Sequence, residues 1–152
     1  MNAFKKTDLN KILFLDIETV PQESSFNNLD KETKELWEEK SKKFCRENLS
    51  DEEVYNRAGI LAEFGKIICI SAGYIKIINK KRQLRIKTFS SDNEKEILEG
   101  FTALVKKHFN KADTYMCAHN GKEFDFPYIA RRCLINGVAL PENIDTRNVK
   151  PW

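Results

Sequence analysis

Short apolar runs alternate with amphipathic stretches along the chain. The run "KILFLDI", residues 11–17, is rich in Ile, Leu and Phe, and it predicts a strand that is buried on both faces and stops at Pro21. The stretches "GKIICISAGYIKI" and "QLRIKTF" flank the basic turn "INKKR" and predict an antiparallel hairpin. A last apolar run, "ADTYMCA", predicts a further buried strand.

Two helices are predicted between the first strand and the hairpin. The first covers residues 30 to about 48, with Asp30 as its N-cap. One side of it has helical spacing, formed by Leu36, Trp37, Lys40 and Phe44, and charged residues cover the rest. The second helix begins with the capping-box pair Ser50 and Glu53. We interpret residues 22–62 as a helical insertion between strands.

Two more helices are predicted after the hairpin. The stretch "SDNEKEILEGFTALVKKHF" has one apolar face, formed by Ile97, Leu98, Phe101, Leu104, Val105 and Phe109. The stretch "FDFPYIARRCLINGVALP" predicts a helix whose start is marked by Pro127 and whose end lies near Asn136 and Gly137. The order strand, helical insertion, strand, strand, helix, strand, helix is a mixed α/β pattern.

Length and composition restrict the class of protein. A chain of 152 residues suits one domain with a single site. The 26 basic and 23 acidic side chains leave a formal charge of +3, which permits a polyanionic partner without specifying one. The four cysteines have neither zinc-ligand spacing nor the pattern of a small disulfide framework, so we expect reduced thiols in a cytoplasmic protein. We recognise neither a leader with a cleavage site nor a bilayer-spanning apolar stretch.

Two carboxylates one residue apart, Asp16 and Glu18, end the first strand. Because residues i and i+2 of a strand share a face, both can aim at one point beyond it. Two hard anionic oxygens converging there suit Mg²⁺ or Mn²⁺. The alternative is a solvated strand end in which Glu18 caps a turn, and for this pair taken alone we prefer that alternative.

A third acidic residue, Asp125, follows the last predicted strand and a turn that contains glycine. Taken alone it is well explained as a helix N-cap. The combination favours a site, because two buried strands that each lead into acidic residues would be neighbours in one sheet, where α/β proteins form their sites. Neither histidine is a strong candidate base: His108 suits a solvated charge at a helix end, and His119 lies in the turn before Asp125.

The segments "LFLDIET" and "NGKEFDFPYIARR" together resemble the first two motifs of the DEDD 3′-5′ exonucleases. The nearest likeness is to the predicted exonucleases related to the proofreading domain of family B DNA polymerases. The first motif is D-x-E-T and the second is N-x-x-x-F-D. They are matched at Asp16, Glu18, Thr19, Asn120, Phe124 and Asp125. The resemblance implies an α/β ribonuclease H-like mixed sheet flanked by helices, with one exonuclease domain over residues 1–152 and the 22–62 insertion inside it.

The resemblance also implies a metal-dependent 3′-5′ exonuclease that acts on the 3′ end of single-stranded nucleic acid, with DNA preferred over RNA. The three acidic side chains of the motifs would hold two Mg²⁺ or Mn²⁺ ions roughly 3.5 to 4 Å apart, one activating a water and the other stabilising the leaving oxygen. Thr19 and Asn120 would touch the terminal nucleotide; their alternatives are a turn hydroxyl and a turn former. Phe124 would lie against the base, since stacking tolerates any sequence, and a core position is an equal alternative for this ring.

The third motif of the family, an aspartate preceded by a tyrosine or histidine on a later helix, is not recognisable here. Asp145 lies in the polar segment "DTRNVKPW" and has neither residue at the right spacing before it. We therefore expect a truncated chain that lacks the C-terminal part of the fold. The missing part matters more for the predicted activity than for the predicted fold.

Two other classes of function fit the same residues. One is a catalytically silent nucleic-acid-binding module on the same scaffold, whose sequence-independent and salt-sensitive phosphate contacts would come from Lys80, Lys81, Arg82, Arg131 and Arg132. The other is a phosphotransfer or polymerase-associated domain that uses the acidic pair in another two-metal reaction. The three acidic positions favour the exonuclease, whereas the missing third motif favours the module.

Overall fold

Four strands form one mixed sheet in the computed structural model, which describes residues 8–43 and 49–145. The strands are β1 (Ile12–Pro21), β2 (Gly65–Ile78), β3 (Lys81–Ser90) and β4 (Tyr115–Cys117). Their order across the sheet is β3-β2-β1-β4, so that β3 and β4 form its edges. β1 and β4 are parallel, and β2 is antiparallel to both of its neighbours. The mixed α/β class is confirmed, and the sheet is consistent with a ribonuclease H-like fold.

The hairpin between β2 and β3 turns at two residues, Asn79 and Lys80, whose φ angles are 50° and 61°. Two positive φ angles are the requirement of a type I′ turn, whose twist matches that of the flanking strands. The turn sets the register that begins with Ile78 opposite Lys81. The predicted antiparallel hairpin is therefore confirmed.

Four α-helices accompany the sheet in the described part of the chain. They are α1 (Lys31–Ser41), α2 (Asp51–Tyr55), α3 (Glu94–His108) and α4 (Asp125–Ile135). The predicted caps are present, because the Asp30 carboxylate accepts the Thr33 N–H at 3.0 Å and Ser50 and Glu53 form a complete capping box. α1 is shorter than expected, and Phe44 of its predicted apolar face lies outside the described residues.

The main core lies between α3, α4 and one face of the sheet. The apolar face of α3 is buried as predicted, and it packs against a row of β1 side chains that consists of Leu13, Leu15 and Ile17. The opposite face of β1 is different: Phe14 is half-buried and Asp16 and Glu18 are exposed. The prediction that β1 is buried on both faces is thus wrong for its second half, where the face that carries the carboxylates is open.

The stretch between β1 and β2 has a small core of its own. Trp37 is fully buried at its centre, with ring centroids 5.3 Å from Tyr55 and 5.1 Å from Phe64. The Ser41 hydroxyl donates to the Asp51 carboxylate, which joins the end of α1 to the start of α2. Leu36 was expected on the apolar face and is instead 53% exposed, because α1 turns its Trp37 side inward.

Within the two described ranges no helix has the length and apolar character needed to cross a membrane. The thiols of Cys69, Cys117 and Cys133 are free, as expected from the sequence. Cys45 lies outside the described residues.

Candidate active site

Asp16 and Glu18 lie on the open face of β1, opposite Ser71 and Cys69 of β2. The register between the two strands shifts immediately after Glu18, at Thr19. Such a bulge bends the strand and re-aims side chains, and bulges are frequent beside active sites. Alternation along the strand therefore gives both carboxylates the same exposed face, just before the strand bends.

Asp125 is the first residue of α4 and is 2% exposed. Burial raises the pKa of its carboxyl group, and the nearby negative charge of Asp16 raises it further, while its own backbone N–H and the N–H of Ile17 act in the opposite direction. Asp125 thus lies beside β1, close enough to sense Asp16. The alternative that Asp125 is the helix N-cap is wrong, since Phe124 occupies that position.

The carboxylate pair of Asp16 and Asp125 has the chemistry of a site for a hard divalent cation. A buried carboxylate beside a second negative charge is costly unless a cation compensates it. Mg²⁺ commonly uses one or two carboxylates and keeps several waters. Over the described ranges, however, no group of three or more His, Cys, Asp or Glu side chains is arranged to hold a metal ion. Glu18 shares the open face with Asp16 but is not part of a preformed three-carboxylate cluster.

The turn before α4 brings Asn120 to the surface. Asn120 has a φ angle of 54°, a left-handed conformation that asparagine tolerates, and its carbonyl accepts the N–H groups of Glu123 and Phe124 at 3.0 Å each. Gly121 is packed so closely that a Cβ atom there would lie 2.7 Å from the Cβ of Ala118. Asn120 is therefore a turn former, and its exposed amide remains a predicted contact for a nucleotide.

Phe124 and Thr19 both have neighbours inside the protein. Phe124 is half-buried against the main core, with its ring centroid 5.3 Å from that of Tyr128. Burial raises the pKa of the Tyr128 hydroxyl to about 12, and the nearby Thr19 side chain acts in the opposite direction. The core role considered for Phe124 thus has direct support, and the nucleotide contacts of both residues remain predictions.

Arg132 was a candidate phosphate contact, and that assignment is wrong. Its side chain is buried, donates from Nε to the Glu94 carboxylate at 2.8 Å and from Nη1 to the Ala62 carbonyl at 3.0 Å. The other basic candidates are exposed: they are Lys80, Lys81, Arg82 and Arg131. The hairpin tip lies seven residues along β2 from Ser71, or roughly 23 Å from the level of Asp16.

Tyr128 and Glu94 were missed by sequence reasoning. Tyr128 is three residues after Asp125 in "FDFPY", so helical spacing places it on the buried side of the same helix. Glu94 was not singled out, and its position in the first turn of α3 was the available signal. The hydrogen-bond partners of their side chains, Gly59 for Tyr128 and Arg132 for Glu94, lie far away in the sequence, which is why these roles are seen only in the fold.

A protein family described as "Predicted 3'-5' exonuclease related to the exonuclease domain of PolB" matches residues 60–152, which is more than half of the chain. The chain belongs to this family, and the family expected from the two motifs is confirmed. The match contains the second motif with Asp125, whereas Asp16 and Glu18 precede it. None of the curated proteins compared with the chain matches it.

Proposed function

We propose that this protein is a metal-dependent 3′-5′ exonuclease that hydrolyses the terminal phosphodiester bond of single-stranded nucleic acid, with DNA preferred over RNA. Its main support is the position of Asp125, buried at the start of α4 and close enough to Asp16 for the two charges to interact. Membership of a family of predicted 3′-5′ exonucleases supplies the reaction class.

The proposed metal ligands are Asp16, Glu18 and Asp125. Asp16 and Asp125 supply oxygens from two chain segments, and Glu18 is assigned to the same site because it shares the open face of β1. Mg²⁺ or Mn²⁺, two ions in a complete site, would supply a nucleophile at neutral pH and neutralise charge that develops on the phosphate. The protein's own task is to hold these carboxylates at a fixed separation beside an open surface.

The proposed nucleotide contacts are Thr19, Asn120 and Phe124. Asn120 has an exposed amide at the turn before α4, within reach of groups entering from solvent. Phe124 immediately precedes Asp125, and the part of its side chain that remains accessible would lie against a terminal base, a contact that suits any sequence. Thr19 lies at the bulge of β1 directly after Glu18, and it would touch the terminal nucleotide from there.

We also propose that residues 1–152 form one exonuclease domain and that residues 22–62 are an insertion within it. The separate cluster around Trp37 supports this division, because it gives the insertion a core distinct from that of the sheet. Phe64 extends that core slightly beyond the proposed boundary.

The test uses two single-stranded oligonucleotides, one labelled at the 3′ end and one at the 5′ end, with Mn²⁺ or with a chelator. We expect the 3′ label to be released first and the 5′-labelled strand to shorten stepwise, in both cases only with Mn²⁺. Asp16→Asn should abolish the reaction, whereas Asp92→Asn, a change at an exposed aspartate of the β3–α3 turn, should not. Release that survives the chelator, or that begins at the 5′ end, would contradict the proposal.

A nucleic-acid-binding module remains the second candidate, because the hairpin tip with Lys80, Lys81 and Arg82 is exposed and far from the carboxylates. In that case the strand would bind without shortening. Binding would weaken as salt rises and would respond to Lys81→Ala rather than to Asp16→Asn.

A further inference from the structure

Tyr128 connects α4 to a distant part of the chain. Its side chain is buried, and its hydroxyl donates to the carbonyl oxygen of Gly59 at 2.8 Å. Gly59 belongs to a short 3-10 turn, Ala58–Ile60, between α2 and β2. One phenol therefore links the helix that begins with Asp125 to the segment that precedes β2.

Gly59 in turn lies directly on the end of β1. A Cβ atom at Gly59 would be 3.0 Å from the carbonyl carbon of Val20 and 3.1 Å from the nitrogen of Pro21. These two residues follow Glu18 and Thr19, where the register of β1 shifts. The backbone of Gly59 is thus held between the phenol on one side and the strand end on the other.

The start of β2 makes room for the same phenol. A Cβ atom at Gly65 would lie 2.2 Å from the Tyr128 hydroxyl oxygen, a separation that no side chain could adopt. Next to it, the N–H of Gln22 donates to the Phe64 carbonyl at 2.8 Å and closes β1 against the start of β2. Three segments therefore meet at Tyr128: the end of β1, the 58–60 turn and the first residue of β2.

We propose that Tyr128 is a positioning residue that sets the separation between Asp125 and the carboxylates of β1. The ring is rigid and fully enclosed, so it fixes α4 relative to Val20 and Pro21 through Gly59. Tyr128 does not itself reach solvent or substrate. This inference rests on the proposed function, because a fixed separation matters to the reaction only if the carboxylates act together.

The test is Tyr128→Phe, which removes only the hydroxyl. A displacement of about 1 Å in a site can cost about 100-fold in rate, so we expect kcat to fall roughly 10- to 100-fold. KM for the strand should change less than about threefold, because the phenol touches no substrate. A residue that only strengthened the binding of substrate and transition state equally would change KM instead. The apparent affinity for Mn²⁺, measured by electron paramagnetic resonance without substrate, should fall about 10-fold.

Tyr55→Phe is the matched control. Tyr55 is equally buried, and its hydroxyl accepts the Glu23 N–H at 3.3 Å inside the insertion core. Removing that hydroxyl should lower the melting temperature by a similar amount while leaving kcat and Mn²⁺ affinity unchanged. Equal kcat and equal Mn²⁺ affinity in the two variants would overturn the positioning role.

Amide hydrogen exchange separates this inference from the proposed function. The amides of Gln22 and Leu61 are bonded to Phe64 and Ala58, and both should exchange faster in Tyr128→Phe than in Tyr55→Phe or the wild type. If the wild type shows neither nuclease activity nor Mn²⁺ binding, the proposed function fails, and the exchange rates still decide whether Tyr128 holds these segments together. Unchanged exchange at both amides would overturn the inference in either case.

Discussion

Helices α3 and α4 each begin with a largely buried carboxylate, and the surroundings of the two differ. Glu94 accepts hydrogen bonds from Arg132 at 2.8 Å, from the Asn136 amide at 2.9 Å and from the Ile67 N–H at 2.7 Å. Burial opposes ionisation of Glu94, yet these donors outweigh it and hold its pKa below the ordinary value. Its negative charge is compensated within the fold.

Asp125 faces the opposite situation. Burial raises its pKa, and the neighbour that it senses most strongly among charged groups is another carboxylate, Asp16. A carboxylate whose negative charge is compensated by donors of the fold stabilises the protein. A buried carboxylate beside a second carboxylate instead indicates a site at which a cation would bind. The two helix starts therefore distinguish a carboxylate with a structural role, Glu94, from one that we propose as a metal ligand, Asp125, although both are the first residue of a helix.

Glu94→Gln should produce the largest change in stability. It leaves the Arg132 guanidinium buried without its counter-charge, which typically costs about 3 to 5 kcal/mol. Urea unfolding would measure this loss, and the exposed Glu99→Gln should stay within about 0.5 kcal/mol of the wild type. Adding Arg132→Met to Glu94→Gln should recover part of the stability. A stable single variant would mean that Glu94 is not the required partner of Arg132.

Asp125→Asn should have the opposite effect on stability and a large effect on activity. Exonuclease turnover should fall more than about 100-fold, since even residues behind metal ligands are worth about 10- to 100-fold. The melting temperature at pH 7 should rise, because the neutral amide removes the repulsion with Asp16. Asp92→Asn should change neither quantity. A melting temperature that falls would show that the Asp125 charge is compensated after all.

The pH dependence of stability should differ between the two carboxylates. The pKa of Asp125 is raised above 3.8 in the folded state, which therefore holds the proton more tightly than the unfolded state does. The resulting contribution to stability is complete below pH 3.8 and is lost as pH rises through the folded-state pKa. For Glu94, whose pKa is lowered from 4.5, the contribution is present above that value and is lost as pH falls. The advantage of Asp125→Asn over the wild type should therefore shrink as pH falls from 7 toward 3.8, and the deficit of Glu94→Gln should shrink only once pH falls below 4.5. Melting temperatures measured from pH 7 to well below pH 4.5 would check both trends, and parallel curves would refute the contrast.

Ser50→Ala gives the smallest expected change and tests a third helix start, where the carboxylate is exposed. The Ser50 hydroxyl accepts the Glu53 N–H at 3.3 Å, and the Glu53 carboxylate accepts the Ser50 N–H at 2.8 Å. Loss of this N-cap should cost about 1 kcal/mol without altering turnover. If turnover fell as well, the insertion would have a larger influence on the site than its separate core indicates.

Most of the fold could be predicted from local patterns in the sequence. The apolar face of α3, the Asp30 cap, the Ser50–Glu53 box and the hairpin each depend on residues close together in the chain. The extent of α1 and its buried side could not, because they depend on how Trp37 meets Tyr55 and Phe64 from other segments.

The motifs supplied the proposed members of the candidate site and did not supply their arrangement. They pointed to Asp16, Glu18 and Asp125, yet the burial of Asp125 at the start of α4 and the exposure of the β1 face that carries the other two depend on how distant segments pack. Glu94 and Arg132 lie 38 residues apart, and no local pattern distinguishes Arg132 from the exposed Arg131 beside it. Whether a buried charge has an opposite charge beside it depends on the fold, which is why Arg132 was wrongly included among the candidate phosphate contacts.

The edge position of β3 has a consequence for how copies of the protein meet. Nine of the ten residues of this strand are exposed, and the exposed apolar side chains of Leu84 and Ile86 would favour pairing with a strand of another chain. Four positive side chains line the same strand, namely Lys81, Arg82, Arg85 and Lys87. Repulsion between such strands discourages edge-to-edge aggregation, and it weakens as added salt screens the charges, so concentrated stocks should be most soluble at low ionic strength.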